Sequence, residues 1–186
     1  VKPALSMTLG LLLITAISGG GLAAIHVSLL IIQDPFPLGR EAVARMLSLC
    51  GLGMLTAQLF HARVPWIMTD PRPILGLMAF LLAVALFVLP ITKTLGEMAV
   101  AIGVAGWTAA TLRLLASFWI SGIGRPNGLR LGLQHAAASL GQALAPFFVA
   151  IVPDQPPDWA LWPFAWASLV LAILTPLIIR PQRTMR

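Results

Sequence analysis

The sequence predicts an all-α, polytopic membrane protein of six transmembrane helices. Three observations predict it. Hydrophobic residues make up 59% of the 186 and charged residues only 10%, where a soluble domain carries about a quarter charged residues. The apolar residues form continuous runs near the roughly 20 residues that a helical crossing needs. Charges and prolines separate those runs.

The first run holds no Lys, Arg, Asp or Glu from Pro3 to Gln33 and predicts a span over about 9–32. Asp34-Pro35-Phe36-Pro37 ends it, because proline removes a donor and the residue before proline avoids the helical region. Further spans are expected over about 42–60, 74–91, 98–120, 131–152 and 159–179. The last two are divided by Pro153-Asp154-Gln155-Pro156-Pro157-Asp158. One six-helix bundle over 1–186 leaves no soluble domain. Strands are not expected, since a membrane barrel alternates apolar and polar residues in short segments.

With the N-terminus inside, Lys2, Arg63, Arg72, Arg125, Arg130, Arg180, Arg183 and Arg186 lie in inner segments and only Arg40 and Lys93 in outer loops. That asymmetry predicts cytoplasmic termini in a plasma or bacterial inner membrane. The net charge of +6 is then a signature of topology and anionic lipid, not of nucleic acid. Trp159, Trp162 and Trp166 recur at helical spacing at the outer end of the last span and read as interfacial anchors. Trp66 and Trp119 fall at inner boundaries. Cys50 is the single cysteine and His26, His61 and His135 lie on separate segments, so no disulfide, metal site or cofactor is expected. No Gly-x-Ser-x-Gly elbow, His-Glu-x-x-His or phosphate loop occurs, and the acids sit at loop edges, which argues against an enzyme. The first span is too long for a signal peptide. A start on Val1 leads us to expect a piece of something longer.

Two spans carry a family resemblance. The second reads Arg45-Met-Leu-Ser-Leu-Cys-Gly51-Leu-Gly53-Met-Leu-Thr-Ala-Gln58-Leu, and the fifth Gly132-Leu-Gln134-His135-Ala-Ala-Ala-Ser139-Leu-Gly141-Gln142-Ala-Leu-Ala-Pro146. The first is similar to the glycine-rich eighth helix, and the second to the eleventh, of major facilitator superfamily transporters. The whole chain resembles their C-terminal half, helices seven to twelve. The stretch from His61 to Pro73 departs from the pattern. It keeps Arg63 and Arg72 but lacks the Asp-Arg-x-Gly core found in the corresponding loop. No internal repeat is visible, although the halves of this superfamily are built from three-plus-three inverted repeats.

Ionisable residues inside a span cost about 2.5–3.5 kcal/mol on insertion scales and mark candidate sites. Arg113 in the fourth span is the first candidate, against the alternative that it snorkels to inner headgroups. Arg45 lies one turn into its span and snorkels more readily. On the fifth span His135, Ala138, Ser139 and Gln142 share one face. His135 is a candidate for proton coupling, since histidine is the side chain that titrates near physiological pH. Arg113, His135 and Gln142 are thus expected to bind substrate or couple protons in one central cavity. The rows Gly128/Gly132/Ala136 and Ala137/Gly141/Ala145 read as helix-packing faces. Gly19-Gly20-Gly21 reads either as packing or as a broken helix. Pro90 and Pro146 are expected to kink outer helix ends.

What the resemblance implies is half of a secondary transporter, exporting a hydrophobic or amphipathic small molecule by alternating access against a second six-helix half. That half is supplied by the same chain, a separate subunit or a second copy. Sparse intramembrane charge with abundant Met, Phe and Trp fits such a substrate. The alternative is a non-transporting subunit or assembly factor of a larger membrane complex, such as a pigment-protein assembly.

Overall fold

The computed structural model describes residues 2–31, 39–61, 72–122, 128–151 and 157–179, all but a few of them helical and none in a strand. The helices are α1 (Lys2–Ile31), α2 (Arg40–His61), α3 (Arg72–Val88), α4 (Leu95–Gly122), α5 (Gly128–Ile151) and α6 (Leu161–Ile178). A 3-10 turn over Leu89–Ile91, containing Pro90, ends α3, and another over Pro157–Ala160 leads into α6. The expected turns at Asp34–Pro37 and Pro153–Pro156, most of the stretch from His61 to Pro73 with Trp66, and the last seven residues lie outside the described residues.

Four helices have the length and apolarity to cross a membrane, over Met7–Leu29, Glu41–Phe60, Arg72–Ile91 and Leu95–Ile120. The apolar stretch of α6, Leu161–Leu177, is shorter. α5 is long enough at 24 residues but too polar, because Arg130, Gln134, His135, Ser139 and Gln142 interrupt its apolar residues.

Local chemistry explains how the elements begin and how they tolerate polar residues. A reciprocal capping box starts α4. The Glu97 N–H donates to Thr94 Oγ1 at 3.2 Å, and Glu97 Oε2 accepts from the Thr94 and Lys93 N–H groups at 3.2 and 2.8 Å. Buried hydroxyls turn back on their own helix: Thr15 to the Leu11 carbonyl, Thr108 to Val104 and Ala105, Thr175 to Leu171. This keeps Ser and Thr inexpensive within apolar helices.

The packing has an internal symmetry that the sequence conceals. The principal helix pairs are α1 with α5, α2 with α4, α3 with α6, α3 with α4, α1 with α4 and α1 with α6. Exchanging α1, α2 and α3 for α4, α5 and α6 maps that set onto itself. α1 with α5 becomes α4 with α2, α3 with α4 becomes α6 with α1, and the remaining two pairs map onto themselves. Both symmetry-related crossings use glycine for close approach. A Cβ on Gly141 would stand 1.9 Å from the Ala16 carbonyl oxygen of α1, and one on Gly53 2.3 Å from the Gly103 carbonyl oxygen of α4. α1 and α4 form the centre, α3 and α6 cover one side, and α2 and α5 flank the other.

Candidate functional site

Arg113 stands where four helices converge. It projects from α4, and its Nη2 would lie 3.1 Å from a Cβ on Gly19 of α1, a position also 2.7 Å from the Ala138 carbonyl oxygen of α5. The thiol of Cys50 on α2 is close enough to interact with it electrostatically. Gly19 is 12 residues past Met7 and 10 before Leu29, so the guanidinium sits at half the height of α1. Helical side chains lean toward the helix N-terminus, which carries this one away from the nearer end of α4. The snorkelling alternative finds no support in this placement.

Arg113 is half-buried, and its Nε and Nη2 are fully buried with no hydrogen-bond partner. Arg45 differs. It is exposed and pairs with Glu41 one turn away, at the start of α2. Of the acids placed in the described α-helices, Glu41 is taken by Arg45 and Glu97 by the α4 cap. Neither is available to Arg113.

α4 and α5 are joined by a residue that the sequence did not single out. Gln134 is 4% exposed, and its Nε2 donates to Ser117 Oγ at 2.7 Å and to the Arg113 carbonyl at 3.2 Å. Ser117 Oγ itself donates to that carbonyl at 2.9 Å. A helix turns 100° per residue, so with Gln134 facing α4, His135 cannot. His135, Ser139 and Gln142 are all exposed on α5, while Ala138 of the same stripe is partly buried beside Gly19. The structure therefore brings Ala138 to Gly19, which Arg113 also approaches, and leaves His135 and Gln142 exposed. The signal for Gln134 was available: it is spaced from Ala137, Gly141 and Ala145 as one helical face.

The two small-residue rows differ. Gly141 and Ala145 are buried and Ala137 partly so, and Gly141 meets Ala16 and Gly20 of α1. Gly128, Gly132 and Ala136 are exposed, with nothing within 4 Å of a Cβ on either glycine. Of the two rows expected to pack closely against helices, the described residues cover one, since α1 and α4 lie on the opposite side of α5 from Gly128 and Gly132. Gly19-Gly20-Gly21 lies within continuous helix, meeting Ala138, Phe164 and Leu86 in turn, so packing is its role and not a break. Trp162 and Trp166 stack edge-on against Phe87 of α3, at centroid distances of 5.6 and 5.1 Å, which ties α6 to α3.

The exposed surfaces fall into two kinds. On α3 and α6 the exposed large residues within the helices are Leu77, Phe80, Val84, Val88, Trp162, Trp166, Val170, Ile173, Leu174 and Leu177. On α2 and α5 exposed leucines and phenylalanines are interspersed with Ser48, Thr56, Gln58, His135, Ser139 and Gln142. An apolar groove between α3 and α4, lined by Leu81, Val84, Val88, Val100 and Val104 with Glu97 at its rim, begins roughly 13 Å along α4 from Arg113 and is no part of the site. No family model, curated protein or solved structure matches the chain.

Proposed function

We propose that the chain is one six-helix lobe of a secondary transporter of the major facilitator type, inserted with both termini cytoplasmic. It exports a hydrophobic or amphipathic small molecule by rocking against a second lobe. The observation that carries this reading is the contrast between the two exposed faces. The α3/α6 face is apolar, as a lipid-facing surface must be, while the α2/α5 face carries neutral polar side chains that lipid would penalise. Water in a cavity or a second lobe satisfies those groups. Arg113 lies at mid-height behind that face, where transporters of this kind hold substrate. The packing symmetry supports the same reading. A unit of three spans is odd in number, so the second unit enters the membrane from the opposite side, giving inverted repeats.

Single cysteines introduced into a Cys50→Ala background test it. A water-soluble maleimide applied from both sides should label Ser139→Cys and Gln142→Cys and spare Ile173→Cys and Leu177→Cys. Applied from outside alone, it should reach Gln155→Cys and not Gln182→Cys. Equal labelling of the two faces, or protection of both, would replace the transporter reading with a non-transporting membrane subunit.

A further inference from the structure

Among the described residues Arg113 is a cation without a counter-ion. Two of its donors are buried and unpartnered. The acids whose side chains are described are engaged elsewhere, Glu41 by Arg45 and Glu97 by the cap of α4. The remaining acids, Asp34, Asp70, Asp154 and Asp158, belong by sequence to segments between the apolar runs, whereas the guanidinium lies beside Gly19 at mid-height of α1. A charge so placed is costly unless an anion, backbone carbonyls or cavity water complete it, and an anion completes it most strongly. The group is arginine, whose planar fork matches a carboxylate through two parallel hydrogen bonds. Gly19 supplies the room, since any side chain there would press on Nη2. Around this one charge the bundle offers apolar side chains and neutral polar ones. That combination suits a molecule with a single anionic head and an apolar body.

We infer that the substrate of this site is an amphipathic monoanion whose carboxylate pairs with Arg113, an inference that rests on the transporter reading for the word substrate but not for the anion site itself. A carboxylate side chain of the second lobe is the rival partner. It is disfavoured because the two unpartnered nitrogens are enclosed by the helices of this lobe, where a small mobile molecule penetrates more readily than a side chain fixed to another bundle.

The probe is an undecanoic acid carrying a dansyl group, compared with its uncharged primary amide, which has the same tail and fluorophore. Binding to the chain in lipid nanodiscs is read by energy transfer from tryptophan to dansyl, with empty nanodiscs subtracted. The acid should bind at least about tenfold more tightly than the amide, the size of one charge-assisted hydrogen bond. Arg113→Gln should abolish that preference without weakening amide binding, and Arg113→Lys, which keeps the charge but not the fork, should retain part of it. Equal affinities for acid and amide in the wild-type chain, or a preference that survives Arg113→Gln, would overturn the proposal; equal affinities would assign the pairing to an acid of the second lobe. Acid preference with no transport by a two-lobed assembly would sink the transporter reading and leave the anion site standing. Transport of acid and amide alike would do the reverse.

Discussion

Arg45 and Arg113 look alike in the sequence, two arginines inside apolar runs, and they differ in what surrounds them. Arg45 has Glu41 one turn back on its own helix, a pairing that i, i+4 spacing makes legible. The isolation of Arg113 depends on helices distant in sequence, and spacing cannot show it. Gln134 illustrates the same limit. It adjoins His135, the more conspicuous residue chemically, yet the phase of α5 turns the glutamine inward to Ser117 and Arg113. Interhelical hydrogen bonds in membrane proteins contribute about 0.6 kcal/mol on average and rarely more than about 1.7. Gln134→Leu should therefore lower unfolding stability in detergent by about 1 kcal/mol, whereas His135→Leu, on the open side of α5, should leave it within about 0.5 kcal/mol. Equal losses from the two would mean that the orientation of α5 is wrong.

At the scale of elements, long uncharged runs made the helices of the fold legible, while the Thr94/Glu97 capping box that starts α4 ahead of the expected span at 98 went unread. Which face of a helix packs was less legible, because small residues line both sides of α5. Gly141 meets α1 while Gly132 meets nothing within 4 Å, so the two glycines control for each other. Gly141→Ala forces a methyl group to within 1.9 Å of the Ala16 carbonyl oxygen. That oxygen is backbone and cannot swing aside, so α1 and α5 must separate. The cost is that of overpacking, about 1–3 kcal/mol or more. Gly132→Ala, which gains helix propensity, should be neutral or stabilising by up to about 1 kcal/mol. Thermal unfolding of the two variants side by side checks the assignment, and a Gly141→Ala variant as stable as Gly132→Ala would refute the crossing.

The whole molecule is organised about a two-fold exchange of helix triplets, which sequence comparison within the chain did not reveal because lipid-exposed and packed positions constrain size and polarity more than identity. The exchange leaves α2 and α5 equivalent, each seated by a glycine crossing on one central helix and each open on its far side. An alternating-access transporter encloses its substrate between two such lobes at mid-height. If the chain is one such lobe, as proposed, it presents Arg113 and the α2/α5 surface with no opposing wall, and alone it would bind a ligand without occluding it or releasing it on the other face. The chain reconstituted into liposomes as a demonstrated monomer should accordingly give dansyl-acid flux no faster than protein-free vesicles, while still binding the same probe in an Arg113-dependent way. Flux should arise only when a second lobe, supplied as a fused or separate partner, covers the α2/α5 face, and Thr56→Cys and Ser139→Cys should then lose maleimide reactivity where they are covered. Saturable, Arg113-dependent flux by the isolated monomer would show that six helices suffice, and the two-lobed mechanism would have to be abandoned.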